Sequence, residues 1–274
     1  MNQEVIARCR FACNNVRHSI LDMTYSTGSI GAHLGGSLSS VELLTCLYVG
    51  SIRYRVSDPT WEERDRVILS KGHAAMALYA AMAEVGIITK DELLTFKKDG
   101  SKLCGHPSLN GLPGVEFASG SLGQGLSLGV GTCIALKRKQ NFSSRVFCFL
   151  GDGECNEGSV WEASASAAHY GLSQLTAVVD VNSIQYDGYT KDVLEMDPYA
   201  DKWKAFGWHV LSIDGHDIGA VLSAYEYRCS RPIVILATTV KGKGISFMEN
   251  NVKYHNANLS EKLYKQALME LGTE

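Results

Sequence analysis

Five short apolar runs, at residues 67–70, 146–150, 175–181, 209–213 and 233–238, read as buried strands bounded by glycine-rich or polar turns. The stretches between them carry apolar residues at helical spacing. The first helix covers about residues 3–24 and puts Cys9, Cys13, Val16 and Ile20 on one face. Another starts at Ser39 or Ser40 and runs to Tyr48, and an Ala-rich helix runs from the Lys71-Gly72-His73 turn to Val85. Thr89-x-x-Glu92 has the spacing of a capping box, in which each side chain satisfies the other's backbone amide. Later helices are expected over about 219–229 and 260–271. Strands alternating with helices imply an α/β fold, a central mainly parallel sheet with helices on both faces. No Pro-, Gly- or Ser-rich linker and no repeat divides the chain, so residues 1–274 are expected to form a single domain.

Charge and cysteine usage narrow the function classes. With 26 basic and 29 acidic residues the net charge is -3, which offers no field for gathering nucleic acid. The eight cysteines form no C-x-x-C pair, and several lie in apolar contexts, so they read as free core thiols of a cytoplasmic protein. The amino terminus has no apolar signal core. Residues 117–136 are uncharged but too rich in Gly, Ser, Gln and Thr for a membrane span, and a soluble protein is expected. The charged EERDR segment and Lys137-Arg138-Lys139 read as solvated faces.

Residues 145–188 carry the most chemical information. The run 146–150 ends in Gly151-Asp152-Gly153, and a helix is expected to follow at once with its first amides facing an anion. The strand 175–181 then delivers Asn182 to the same sheet edge, because a right-handed strand-helix-strand unit returns beside its start. A carboxylate, an amide oxygen and a backbone carbonyl suit Mg2+, with Ca2+ or Mn2+ as alternatives, and phosphate oxygens would complete the shell. Gly123-x-Gly125-x-x-x-Gly129 has the wrong spacing for a dinucleotide fingerprint. Gly125 and Gly129, one turn apart, instead allow a helix to pack closely on a neighbour.

Four histidines sit in loops beside small residues: His33 in GAHLGG, His73 in SKGHAAM, His106 in LCGHPSL and His255 in KYHNAN. Histidines at the ends of several elements can line one polar pocket. His18 and His169 fall inside helices and His209 and His216 flank a strand, where structural roles are expected.

These loops, in order with G-x-LGQG, GDG and N-x-I, resemble the N-terminal, thiamin diphosphate-binding domain of transketolase over nearly the whole chain. Two positions depart from the usual pattern: Ser121 stands where Pro is common, and Asn256 follows His255 where Gly is usual. The resemblance implies a three-layer thiamin diphosphate-binding fold and a metal held by Asp152, Asn182 and the carbonyl of Ile184. It further implies cofactor contacts from His73, Gly120, Ser121, Leu122, Asp152, Gly153, Glu157, Asn182, Ile184 and His255. Glu157 would join hydrogen bonding at a subunit interface. His33, His106 and His255 would serve catalysis, the first two on sugar hydroxyls or the carbonyl oxygen. It also implies transfer of a two-carbon ketol unit between sugar phosphates, or related sugars, by a split enzyme. A C-terminal subunit would carry the pyrimidine-binding domain and its activating Glu, in a heterotetramer. Rival readings are the α subunit of a 2-oxo-acid dehydrogenase decarboxylase, which shares GDG and the Asn but lacks these GH loops, and a non-catalytic regulatory subunit.

Overall fold

The structure, a computed structural model, describes residues 3–272. All five apolar runs are strands of one parallel sheet: β1 (Arg66–Leu69), β2 (Val146–Gly151), β3 (Leu175–Val181), β6 (His209–Asp214) and β7 (Ile233–Thr238). A two-stranded hairpin of β4 (Ile184–Gln185) and β5 (Gly188–Tyr189) lies between β3 and β6 in sequence. The sheet order is β1-β2-β3-β7-β6. The chain therefore steps one way from β1 to β3, jumps to the outer edge, and comes back to set β7 beside β3. The order of connection reverses between β3 and β7, and such a reversal opens a crevice beyond the carboxyl ends of the strands.

Alternation along each strand divides the core into two layers. Phe147, Phe149, Val178 and Ile235 point to one face, where they meet α1 (Gln3–Ser26), α3 (Val41–Cys46), α4 (Ala75–Glu84) and α10 (Ile218–Glu226). Val146, Cys148, Leu150, Val179 and Leu236 point to the other, against α6 (Gly125–Arg138), α7 (Gly158–His169) and α9 (Tyr199–Ala205). The short α2 (Leu34–Leu38) and the late α11 (Glu261–Leu271) pack on α1, and α8 (Thr190–Val193) follows the hairpin. The architecture is the expected three-layer sandwich. Gly125 opens α6 directly on β1, where a Cβ would lie 2.4 Å from the Ser70 side chain, and a Cβ at Gly129 would press on Leu175 at 3.1 Å. The capping box at Thr89 and Glu92 forms at the start of the short α5 (Lys90–Leu93). All eight cysteines are free, and among the described residues no helix is long and apolar enough to cross a membrane.

Three local expectations are corrected. No helix follows the GDG turn at once: a 3-10 turn, Gly153–Asn156, intervenes and α7 begins at Gly158. Within that turn Glu154 points back under the strands to accept from the Gly151 amide, so the α7 amides start one turn farther from the sheet edge than the sequence suggested. The helix from Ser40 ends at Cys46, where a wider π-type turn, Leu47–Ser51, takes over. The EERDR segment is not all solvated. Asp65 is buried and its carboxylate ties Arg145 at 3.0 Å to the Arg53 backbone amide, also at 3.0 Å, while Arg64 forms a two-pronged pair with Glu116.

Candidate functional site

The carboxyl ends of β2 and β3 put Asp152 and the 182–184 turn side by side. One Asp152 oxygen accepts from Gly153 N at 2.8 Å and the other from Ser183 N at 2.5 Å. Ser183 takes a left-handed backbone, φ 63°, and so turns its amide inward. Asn182 donates its side-chain amide to Asp180 at 3.1 Å, which commits the nitrogen and leaves Oδ1 facing the Ile184 turn. Carboxylate, amide oxygen and the Ile184 carbonyl thus form an all-oxygen set suited to a hard dication, and the donor chemistry fits the expected metal. Burial, with the Asp180 charge next, pushes the Asp152 carboxyl up to about 6. Bringing a cation to this carboxylate would reverse that penalty.

Beneath these ligands lies a charged network that sequence reasoning missed. Asp180, the penultimate residue of the apolar strand β3, is fully buried. It pairs with the Lys71 ammonium and accepts from Ser39 Oγ at 2.6 Å, from Thr239 Oγ1 and from Asn182. Burial raises its carboxyl, but the Lys71 charge and these hydrogen bonds outweigh it and hold the group below the ordinary Asp value. Lys71 spends its other protons on the Gly36 carbonyl and Ser40 Oγ. The available signal was a lone carboxylate inside the run VVDV, since a buried charge needs a partner.

Lys241, after β7, is the second missed residue. Its ammonium donates to the Ile184 carbonyl and to His255 Nδ1 at 3.0 Å, and burial, with Lys71 nearby, lowers it to about 8. The carbonyl expected on the metal is therefore already shared with a lysine, and its second lone pair is what remains for a cation. Because an ammonium only donates, His255 Nδ1 must be the acceptor and Nε2 carries the proton.

A third missed residue is Glu154. Its buried carboxylate accepts from Ser70 Oγ, from Gly123 N at 2.8 Å and from Gly151 N at 3.0 Å. One side chain thus ties the ends of β1 and β2 to the 119–125 loop, whose Gly120, Ser121 and Leu122 were read as cofactor contacts.

The four loop histidines converge. Ring centroids of His33 stand 5.8 Å from His73, 5.4 Å from His106 and 5.7 Å from His255. Two backbone hydrogen bonds between Ala32 and Ala257 zip the first and last of these loops together. Gly31 makes that approach possible: its φ is +68° and a Cβ would lie 2.8 Å from the Ala257 carbonyl oxygen. The Ser119 amide donates to the Pro107 carbonyl, which brings the His106 loop beside Gly120. Burial dominates the electrostatics of the cluster. His33 is lowered to about 4 by burial, then by His106 and Lys97, and His255 to about 3 by burial, then by Lys241. His73 and His106 are lowered for the same first reason. The rings are neutral at pH 7, each with one N–H and one lone pair, which suits them to hydrogen bonding.

A cavity of about 290 Å3 opens over this ground, lined by His73, Leu122, Asp152, Gly153, Glu157, Asn182, Ile184 and His255, together with Lys71 and Lys241. Of the remaining expected residues, Gly120 packs on His106, and His33 and His106 reach the site through the histidine cluster rather than the cavity wall. Ser121 is exposed and does not line the cavity. The backbone cradle is tight: a Cβ on Gly153 would fall 2.4 Å from Gln185 Oε1, and one on Gly72 would fall 2.7 Å from Ser119 Oγ.

Comparison with known proteins identifies the family and the fold. The family described as "Transketolase, thiamine diphosphate binding domain" matches residues 10–274. The 6-deoxy-6-sulfo-D-fructose transketolase subunit SqwG of Clostridium sp. (strain MSTE9) is 41% identical, over 90% of this chain and 91% of that protein. An apulose-4-phosphate transketolase subunit from Actinobacillus succinogenes is 42% identical over 89% of each. Human transketolase is 37% identical over 100% of this chain but only 43% of its own length. The crystal structure of transketolase from Campylobacter jejuni superposes with a TM-score of 0.89 at 31% identity, covering 99% of this chain and 43% of that one.

Proposed function

The chain belongs to the transketolase family, through its thiamine diphosphate-binding domain, and from that premise we propose that it is one half of a two-chain transketolase. It would move a two-carbon ketol unit from a ketose to an aldose, as sugar phosphates or related sugars. The observation that carries this reading is the meeting of Asp152, Asn182, Ile184 and His255 around one cavity at the reversal point of the sheet. Coverage supports the two-chain form: the chain spans most of two relatives named as subunits and 43% of the human single-chain enzyme. The partner proposed is a C-terminal subunit that brings the pyrimidine-binding half, two of each chain making a heterotetramer.

In this reading Asp152, Asn182 and the Ile184 carbonyl hold Mg2+, the dication that most often pairs few protein oxygens with phosphate oxygens. The diphosphate would lie against Leu122, Gly153 and His73, which line the cavity, while Gly120 and Ser121 stand outside its wall. Bound thiamine diphosphate supplies the electron sink that lets a carbon–carbon bond next to a ketose carbonyl break. The protein's share is to hold and orient. His255 presents its Nε2–H to the cavity, because Lys241 occupies Nδ1. His33 and His106, kept neutral by burial, offer one donor and one acceptor each to sugar hydroxyls and the carbonyl oxygen. A neutral N–H aimed where oxygen gains negative charge stabilises that charge without a prior proton transfer. Glu157, exposed at the mouth, faces the partner chain.

Two measurements test the reading. Transfer of a two-carbon unit to ribose 5-phosphate should appear only when this chain is mixed with a pyrimidine-domain partner; full turnover by the chain alone would overturn the two-chain reading. In the assembled enzyme, Asp152→Ala and Asn182→Ala should each abolish metal-dependent thiamine diphosphate binding in calorimetry. Wild-type affinity in both variants would remove the metal assignment.

A further inference from the structure

Lys241 reaches the site from a loop that is itself held by three side chains outside the cavity. The Val240 amide donates to His216 Nε2 at 2.8 Å. A backbone N–H can only donate, so Nε2 is the bare nitrogen and the imidazole proton sits on Nδ1, directed at Glu42 Oε2 at 2.9 Å. The other Glu42 oxygen accepts from Arg17 Nη2 at 2.6 Å. Arg17 then comes back to the same loop, its Nε donating to the Lys243 carbonyl at 3.3 Å. The relay starts at residue 240 and ends at residue 243, so it brackets Lys241 on both sides. Between the brackets, Gly242 N donates to the Gly35 carbonyl at 3.1 Å and Asn250 N to the Lys241 carbonyl at 2.9 Å. His216 is fixed in turn by its own amide, which donates to Asp214 at 2.8 Å.

We propose that His216 is a positioning residue for the cofactor site: its Nδ1–H tautomer, imposed by Glu42, makes Nε2 the acceptor that pins Val240 and thereby aims Lys241 at the Ile184 carbonyl and His255. None of Arg17, Glu42 and His216 lines the cavity, so their effect passes entirely through the loop. The tautomer is the controlling feature. A ring carrying its proton on Nε2 would set N–H against N–H at Val240, and only an acceptor at Nδ1 excludes that form. Glu42, with no proton to give, is that acceptor. The inference rests on the reading of the cavity as a thiamine diphosphate site, and its test separates the two.

The variants are His216→Asn, which keeps a donor for Glu42 and loses the acceptor for Val240, and His216→Gln, whose longer side chain restores an acceptor near Nε2. Each is read by hydrogen exchange of the 239–244 amides in the chain, and by thiamine diphosphate affinity and steady-state kinetics in the assembled enzyme. Loss of one well-made hydrogen bond should speed exchange in 239–244 and weaken cofactor binding, each by about tenfold. Exchange in β3 and β7 should stay near wild type, and His216→Gln should recover most of the loss. Glu42→Gln, which preserves volume, should shift the 15N signals of His216 away from the Nδ1–H form and loosen the same amides, and it serves if His216→Asn does not fold. Unchanged exchange in these variants, loosened exchange with wild-type cofactor affinity, or no recovery in His216→Gln would each overturn the proposal. Wild-type protein that fails to bind thiamine diphosphate would instead overturn the cofactor reading, leaving the exchange result to stand for the latch alone.

Discussion

Replacing Lys71 with Met removes the cation paired with Asp180 and keeps the length of the side chain, so it isolates the charge. Removing one partner of a buried ion pair costs about 3–5 kcal/mol, because the other charge stays in a low-dielectric site. Asp180 retains donors from Ser39, Thr239 and Asn182, which places the expected loss near the lower end, about 3 kcal/mol. For a chain of this size that corresponds to a fall in Tm of roughly 6–12 °C. The assay is thermal and urea unfolding of the metal-free chain at pH 7.5 and in mild acid, with Asp180→Asn and the double variant completing a cycle. With Lys71 present the Asp180 carboxyl is held low, so its contribution is complete above the unfolded pKa and is lost as pH falls through the folded one. Without Lys71 burial raises that carboxyl instead, and the deficit of the variant should shrink as acid protonates it. The double variant, with no buried charge in the pair, should recover about 2 kcal/mol relative to the sum of the single losses. A single-variant loss below about 1 kcal/mol, or additive losses in the cycle, would refute the view that this pair anchors the metal-facing amide.

Other outcomes follow from the same geometry. His33→Ala and His106→Ala should bind thiamine diphosphate normally in calorimetry yet lower kcat/KM for both sugars; wild-type kinetics in both would return these rings to a structural role. Gly125→Ala should destabilise strongly, since its Cβ would meet Ser70 at 2.4 Å and break the Gly125 N to Ser70 Oγ bond of 3.0 Å. By contrast Gly131→Ala, on the open side of α6 with nothing within 4 Å, should stabilise the chain by up to about 1 kcal/mol in unfolding experiments. Burial raises the Glu42 carboxyl, but His216 and Arg17 together hold it below its ordinary value. Glu42→Gln should therefore be less stable than wild type at pH 7, with the gap closing as pH falls below the ordinary glutamate range, measured by urea midpoints across pH.

Much of the layer architecture was legible before any tertiary contact. The strand at 175–181 and the strand at 233–238 have the observed limits, and the Thr89 capping box and the Gly125–Gly129 packing face appear where their local signals put them. These features depend on period, turn chemistry and side-chain size within a few residues, which is information the chain carries locally. Asp152, Asn182 and the four loop histidines were also readable, because each stands in a turn at the end of an element and matches a family pattern in order. Less was visible between 153 and 158, where the 3-10 turn competes with a helix start of nearly the same composition.

What the tertiary structure alone decided is which distant groups share charge. Lys71 and Asp180 lie 109 residues apart, and the latch of Arg17, Glu42 and His216 spans elements that open the chain and elements near its end. Their pairing follows from strand order, since setting β7 back beside β3 carries Thr239 to Asp180 and Lys241 to Ile184. Periodicity tells whether a residue is buried. It does not tell which strand will lie beside it, and a buried charge takes its pKa and its purpose from that neighbour.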